Sequence, residues 1–468
     1  MFRFLAALIL ALPASAFAQA FTPAQTAQID ALVAKALADT GVPSASIAVV
    51  RNGRIVLAKA YGRQSDAMPV ARADAPYQIA SVSKQFTAAA LLLLEDDGKL
   101  DLDDPVSKYL PGVSGGDAIH LRQLLSHTAG LQDYWPQDYS FADMARPVTP
   151  QQIVDRWAKK PLDFAPGTQW QYSNTGYVVA GMIVEKVAGE PLLAFLQRRI
   201  FKPLAMTGLD QDLAIGKGFP APYHRNALGP VRPAPPAAHG WLFAAGELAM
   251  SASDLAKWDI ARMNRAVLPA DDWAEQETAV KLADGRDTRY GLGVSLRRTA
   301  GGVDYVEHSG EAVGFLSENI VFPKQKAAIV VLVNGDFGDA QETIARGITD
   351  MILPPTAAPA PTAANGPRME DATALYDALV GGTLDRKLLT ANCNYYFNAV
   401  ALDDYRSSLA PLGKPVSFTI EGAPRLRGGF VNRNFALTYA NGRKVEIVTY
   451  AEPGAAGRWE QFLVMPTQ

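Results

Sequence analysis

Residues 86–94 constrain the chain more than any other stretch: Phe86, Ala88, Ala89, Ala90, Leu91, Leu92, Leu93 and Leu94 are apolar almost all round a helical turn. A helix without a polar face must be covered on every side, so this segment predicts a central buried helix inside a layered domain, ending near Gly98. Such a helix needs a large surrounding core. The 468 residues, 49% hydrophobic and 19% charged, supply one and argue for two or three domains rather than disorder.

Ser81 and Lys84 stand at the start of that helix. Residues at i and i+3 share a face, which brings the lysine amine toward the serine hydroxyl. A serine is a weak nucleophile until a neighbour takes its proton. A lysine can do so once burial and nearby charge lower its pKa from about 10.4. A serine and lysine at this spacing occur by chance about once in a chain of this length, so other parts of the sequence must supply the remaining groups.

The N-terminus has Arg3, an apolar run over 5–12, and a small-residue site at Ala16-Phe17-Ala18 or Ala18-Gln19-Ala20. These features read as a cleavable export signal over 1–20 and imply a periplasmic or secreted protein. No later segment is apolar enough to span a bilayer, so no stable membrane span is expected after cleavage. The net charge of -3 argues against nucleic acid and acidic membrane surfaces as partners. The single Cys393 cannot form an internal disulfide, and five scattered histidines lack zinc-ligand spacing, so neither a metal nor another cofactor is expected.

Taken in order, Thr22-Pro23 opens an amphipathic helix running to Gly41, and Asn52-Gly53 joins two β-prone runs as a hairpin. Helices and loops occupy 81–209, with helical patterns at 149–157 and 177–188. The proline- and glycine-rich segment 211–240 reads as an irregular lid or binding loop. Strands return at 290–296, 303–307, 315–322 and 328–333, and a helix follows at 340–352. This pattern predicts an α+β fold over 21–352, an antiparallel sheet flanked by helices with an inserted helical subdomain. Residues 353–368 read as a Pro/Ala-rich linker. Residues 369–468 read as a small α+β accessory domain, with helices at 371–380 and 403–409 and strands at 416–420, 435–439 and 445–450. Its pattern resembles a cystatin or NTF2-like module, and the role expected of the domain is to cover the cleft or to mediate dimerisation.

Two further tripeptides complete an acyl-transfer constellation. Tyr172-Ser173-Asn174 follows the loop segment Phe164-Ala165-Pro166-Gly167. A phenol beside a lysine can act as general base, and an asparagine amide can orient a substrate carbonyl or side-chain amide. His308-Ser309-Gly310 directly follows the strand at 303–307. Its edge could supply the N–H of Glu311 to an oxyanion alongside the N–H of Ser81, with Gly310 permitting close approach and His308 offering a hydrogen bond or positive charge.

The ordered set Ser81-Val82-Ser83-Lys84, Tyr172-Ser173-Asn174 and His308-Ser309-Gly310 resembles the serine β-lactamase and penicillin-binding superfamily. Within it, the set is most similar to the class C-like serine hydrolase branch of D-aminopeptidases, DD-carboxypeptidases and esterases. Residues 124–131, 246–255 and 290–293 also resemble that branch, and the match covers roughly 25–351. The resemblance implies that Ser81 is acylated and that Lys84 and Tyr172 handle its proton. It further implies that Asn174 touches the acyl side, that His308-Ser309-Gly310 line the opposing strand, and that His127 is scaffold. True β-lactamases carry Lys-Thr-Gly where this chain has His308-Ser309-Gly310, which removes a permanent cation. The expected function is an exported serine hydrolase acting on an ester, amide or D-amino-acid peptide bond of a small-molecule or peptide substrate. The alternatives are a β-lactamase or DD-peptidase proper, or a non-catalytic β-lactam- or peptidoglycan-binding sensor.

Overall fold

The computed structural model describes residues 20–353 and 368–467, so the export signal and the linker fall almost wholly outside the described residues. Six strands build the main sheet: β1 (Ser44–Arg51), β2 (Arg54–Gly62), β3 (Ser295–Arg298), β4 (Asp304–Ala312), β5 (Phe315–Phe322) and β6 (Ala327–Val333). They lie antiparallel in the order β2-β1-β6-β5-β4-β3. The chain's early and late strands therefore meet in the middle, where Ala45 faces Val333. All of β6 and nearly all of β1 are buried, because helical layers cover both sheet faces.

One covering layer is α1 (Pro23–Thr40) with α5 (Ala340–Ile352). Helix α1 begins where expected, with Thr22 and Gln25 forming a reciprocal capping box and Pro23 in the first turn. It ends on Gly41, whose φ of 81° admits a glycine readily. The other layer contains α2 (Lys84–Asp96), α3 (Asn174–Ala188) and α4 (Ala252–Asn264). Every residue of α2 from Lys84 to Leu94 is buried, and the Phe86 ring packs on Phe201 and Trp258. At about 2 kcal/mol per enclosed leucine, this helix is a principal apolar contributor to the domain.

Two expectations need correction. Residues 290–294 are a loop ahead of β3, with Gly293 passing so close to α2 that a Cβ there would lie 2.8 Å from the Lys84 carbonyl oxygen. Segment 211–240 is not wholly irregular, since Tyr223–His224 pairs with Arg232–Pro233.

The C-terminal region forms a second apolar core. Helices α6 (Met369–Gly381), α7 (Ala391–Tyr396) and α8 (Ala399–Leu409) accompany a meander of β7 (Ser417–Arg427), β8 (Phe430–Thr438), β9 (Lys444–Ala451) and β10 (Trp459–Pro466). Strand β10 carries Glu460 and Gln461, polar residues that interrupt its apolar pattern in the sequence. Both are buried against partners: Glu460 accepts from Thr390 and Asn392, and Gln461 contacts Asp138 of the main domain. Further docking comes from an Arg232–Asp404 ion pair and from stacking of Tyr139 on Tyr396 at 4.9 Å.

Candidate active site

Ser81 sits in a 3-10 turn, Ala80–Ser83, and the α-helix proper starts at Lys84. The i, i+3 spacing predicts Ser81 in the first α-helical turn. The tighter winding eclipses i with i+3 and brings the Lys84 Nζ to 3.0 Å from the Ser81 Oγ. Ala80 enters this turn at φ 47°, a left-handed conformation rare for alanine. The surrounding packing holds it there. The Ser317 hydroxyl donates to the Ile79 carbonyl at 2.9 Å, and β4 presses so closely that a Cβ on Gly310 would fall 2.2 Å from the same oxygen.

Lys84 is fully buried. Burial pushes its amine well below the ordinary lysine range; Asp133 opposes that shift and Arg427 adds to it. Besides Ser81, its nitrogen meets the Asn174 Oδ1 at 2.8 Å and the Ala245 carbonyl oxygen at 2.6 Å. A neutral amine satisfies all three contacts by donating to the two carbonyl oxygens and presenting its lone pair to the Ser81 hydroxyl.

Asn174 is held just as firmly. Its Nδ2 donates to both oxygens of Asp133, at 3.1 and 3.3 Å, and its backbone N–H donates to Asp133 at 3.1 Å. Both ends of the amide are thus engaged by protein, so Asn174 orients Lys84, in contrast to the expectation that it reaches toward substrate. The Tyr172 phenol hydrogen-bonds with Ser81, while burial raises it above the usual phenol range. His127 lies 4.2 Å beneath the Tyr172 ring and accepts the Ser173 N–H at its Nδ1. It packs directly under a site side chain and does not itself line the cleft.

His308 lies within β4, whereas the sequence reading placed it just beyond the strand. Its Nδ1 faces the Ser309 carbonyl at 2.6 Å and must donate to it. Its Nε2, 2.8 Å from the Tyr290 hydroxyl, is left as acceptor. Burial and Lys84 push its pKa down to about 3, so the ring is neutral and has no spare donor. Neither the hydrogen bond nor the charge expected of it is free for a substrate.

Gly310 pairs with Ser317 of β5, while its neighbours Ser309 and Glu311 turn their backbones outward. The pair flanking a two-residue hairpin exchanges both hydrogen bonds, and pairs then alternate. Ala312 and Phe315 flank such a turn, so the backbones of Glu311 and Ser309 point away from β5. Strand β3 stops pairing with β4 at Glu307, which leaves these outward groups bordering a cleft of about 420 Å³. Ser81, Tyr172, Asn174, His308, Ser309 and Glu311 all line it.

Two charged residues of the site carry no local sequence signal of their role. Asp133 stands in a loop with no local signature. Arg427 comes from the end of β7 in the C-terminal domain and donates to Asp133 at 3.0 Å and to Asp138 at 3.1 Å. The Gly428-Gly429 dipeptide was a readable hairpin signal, but nothing local says where the hairpin docks. Asp210, Asp212 and His239 converge closely enough to hold an ion, yet none of them lines the cleft.

Residues 29–350 match the profile of the beta-lactamase family. The chain belongs to that family. It is 28% identical over 323 residues to Protein flp of Staphylococcus aureus (strain NCTC 8325 / PS 47), a match covering 66% of this chain and 62% of that protein, less than two thirds of its length. Among solved structures it is similar to a D-stereospecific amidohydrolase from Streptomyces sp., at 31% identity and a TM-score of 0.59 over 70% of this chain and 99% of that one. An octameric penicillin-binding protein homologue from Pyrococcus abyssi, 21% identical, shares the fold at a TM-score of 0.61 over 94% of this chain and 99% of its own. Family membership extends over the main domain and therefore over the Ser81, Tyr172 and His308 segments. No described helix is long and apolar enough to cross a membrane.

Proposed function

We propose that this protein is an exported serine hydrolase of the class C-like branch that forms an acyl-enzyme at Ser81, with amides and short peptides of D-amino acids as first-choice substrates and esters as second. The observation that carries the reading is a buried lysine, depressed in pKa, 3.0 Å from a serine hydroxyl that opens on a cleft. Lys84 takes the Ser81 proton as Oγ attacks the carbonyl carbon. The backbone N–H of Ser81, in the opening turn of a helical segment, and the outward N–H of Glu311 receive the oxyanion. Lys84 passes that proton through Tyr172 to the leaving group as its bond to the carbonyl carbon breaks; water then attacks the acyl carbon, giving one proton to the same relay, and the Ser81 Oγ takes it back as the acyl bond breaks.

The chemistry of the cleft supports the substrate choice. Asp138, Glu311, Asp336, Glu342 and Glu446 line it with two arginines, Arg425 and Arg427, both hydrogen-bonded to protein. Burial pushes the Glu311, Asp336, Glu342 and Glu446 carboxyls above the usual range, so they offer hydrogen-bonding groups for an amine or amide rather than a block of fixed negative charge. A neutral His308 replacing a permanent cation removes the group that would grip a substrate carboxylate at that strand. The similarity to a D-stereospecific amidohydrolase points the same way. The test is turnover of D-aminoacyl amides and peptides, short-chain nitrophenyl esters and a chromogenic cephalosporin by wild type and Ser81→Ala. Amide turnover lost in Ser81→Ala is expected. Full activity in that variant would sink the acyl-enzyme, and a preference for the cephalosporin would overturn the substrate choice.

A further inference from the structure

Arg427 stands 294 positions from Asp133 in sequence, yet all three of its nitrogens that reach the main domain find an acceptor there. Nε donates to the Asp133 Oδ2 at 3.0 Å, Nη1 to the Asp138 Oδ1 at 3.1 Å, and Nη2 to the Trp135 carbonyl at 2.9 Å. The guanidinium also lies 5.2 Å from the centre of the Tyr172 ring. The hairpin tip is pressed home, since a Cβ on Gly428 would meet the Pro136 side chain at 2.6 Å. We propose that the C-terminal domain is part of the active site, and that Arg427 is a positioning residue that fixes Asp133 and, through Asp133 and Asn174, the amine of Lys84.

The inference rests on the acyl-enzyme reading and deepens it. Asp133 has a fully buried carboxylate side chain, which demands a compensating cation. Two cations are in range, Arg427 by direct ion pair and Lys84 through Asn174. A guanidinium stays charged and so holds Asp133 without drawing on the lysine. Were it absent, Lys84 would be the only cation among the described partners of that carboxylate and would keep its proton. Docking alone does not require this geometry, because Arg232–Asp404, Tyr139–Tyr396 and Gln461–Asp138 already join the domains. The relay runs Arg427, Asp133, Asn174, Lys84, Ser81, with every link a hydrogen bond of 2.8–3.1 Å.

The charged and titratable groups around Lys84 are Asp133 and Arg427, together with His127, His308, Tyr172 and Tyr177. Those around Arg427 are Asp133, Asp138, Tyr172, Tyr450 and Glu311. Removing the guanidinium strips a positive charge that favours neutral Lys84 and leaves Asp133 to stabilise the ammonium. The acid limb of kcat/KM, which reports loss of the base's proton, must therefore move to higher pH.

The experiment measures acylation bursts and pH profiles of the full chain, first confirming that the burst vanishes in Ser81→Ala. If it does not, the acyl-enzyme reading fails. If it does, Arg427→Ala tests the relay by itself. Arg427→Ala should slow acylation by about 10²-fold, shift the acid limb alkaline, and recover on adding guanidinium ion. Arg427→Lys keeps the charge but loses the fork, so it should hold the limb near wild type while acylating more slowly. An Arg427→Ala protein with wild-type acylation and an unmoved limb would overturn the proposal. Should that variant not fold, wild-type acylation by Arg427→Lys would overturn it equally.

Discussion

Two buried polar networks start from adjacent residues of one helix and do opposite things. Lys84 leads through Asn174 to Asp133 and Arg427. Its neighbour Gln85 accepts from Trp258 at 3.1 Å and Arg262 at 2.8 Å, and donates to Asn319, which in turn holds both oxygens of Asp259. Each network contains a buried basic side chain and a buried carboxylate, Lys84 with Asp133 and Arg262 with Asp259. Only the first reaches the cleft, because the second is sealed between α2, α4 and β5 and contributes no residue to the cleft lining. Burial and hydrogen bonding perturb pKa values in both, so a perturbed group becomes a candidate for chemistry only when a substrate-accessible nucleophile shares its hydrogen bond.

The comparison breaks most readily at its two buried basic side chains. Lys84→Ala should lower kcat/KM by about 10³-fold with little loss of Tm, since it removes a general base that is costly to bury. Arg262→Ala should do the reverse, costing about 3–5 kcal/mol in urea unfolding by stranding the Glu277 and Gln85 partners. Equal destabilisation by the two variants would erase the distinction.

A smaller effect sharpens the roles inside the first network. Tyr172→Phe should reduce kcat by about 10²-fold while leaving the acid limb where Lys84 sets it. A limb that disappears in Tyr172→Phe would transfer the base role to the phenol.

The smallest effect lies in the sealed network. Burial raises Asp259 from the ordinary 3.8 to about 7, so the folded chain holds a proton that the unfolded chain has shed. Its contribution to stability is present below pH 3.8 and is lost as pH rises from there to about 7, after which it levels. Asp259→Asn should flatten that part of the urea-stability profile and leave the kcat/KM limb untouched. A limb that moves would show the two networks to be coupled through α2.

Much of this was legible locally. The capping box at Thr22, the Asn52-Gly53 turn and the apolar runs of β1, β5 and β6 carry their own periodicity or turn chemistry, and the elements formed where those signals stand. Tyr172, Asn174 and His308 were named as site candidates and do surround Ser81. Their functional states were not readable. Asn174 proved to be spent on Lys84 and Asp133, and His308 on Tyr290 and Ser309, because a hydrogen-bonding side chain answers to neighbours the sequence does not put beside it. The loop at 290–294 misleads for a related reason: Gly293 serves a close approach to α2 and Gly291 a close approach to the Gln276 carbonyl, rather than a strand.

By itself, the sequence determined that residues 86–94 must be enclosed and that Ser81 must lie one turn from Lys84, since apolar periodicity and i, i+3 geometry act within a single element. Only the tertiary structure decided that Arg427, from a second domain, pairs with Asp133 beneath the nucleophile. The reason is that a buried carboxylate selects its cation by proximity in the fold, and proximity across 294 residues leaves no periodic trace in the chain.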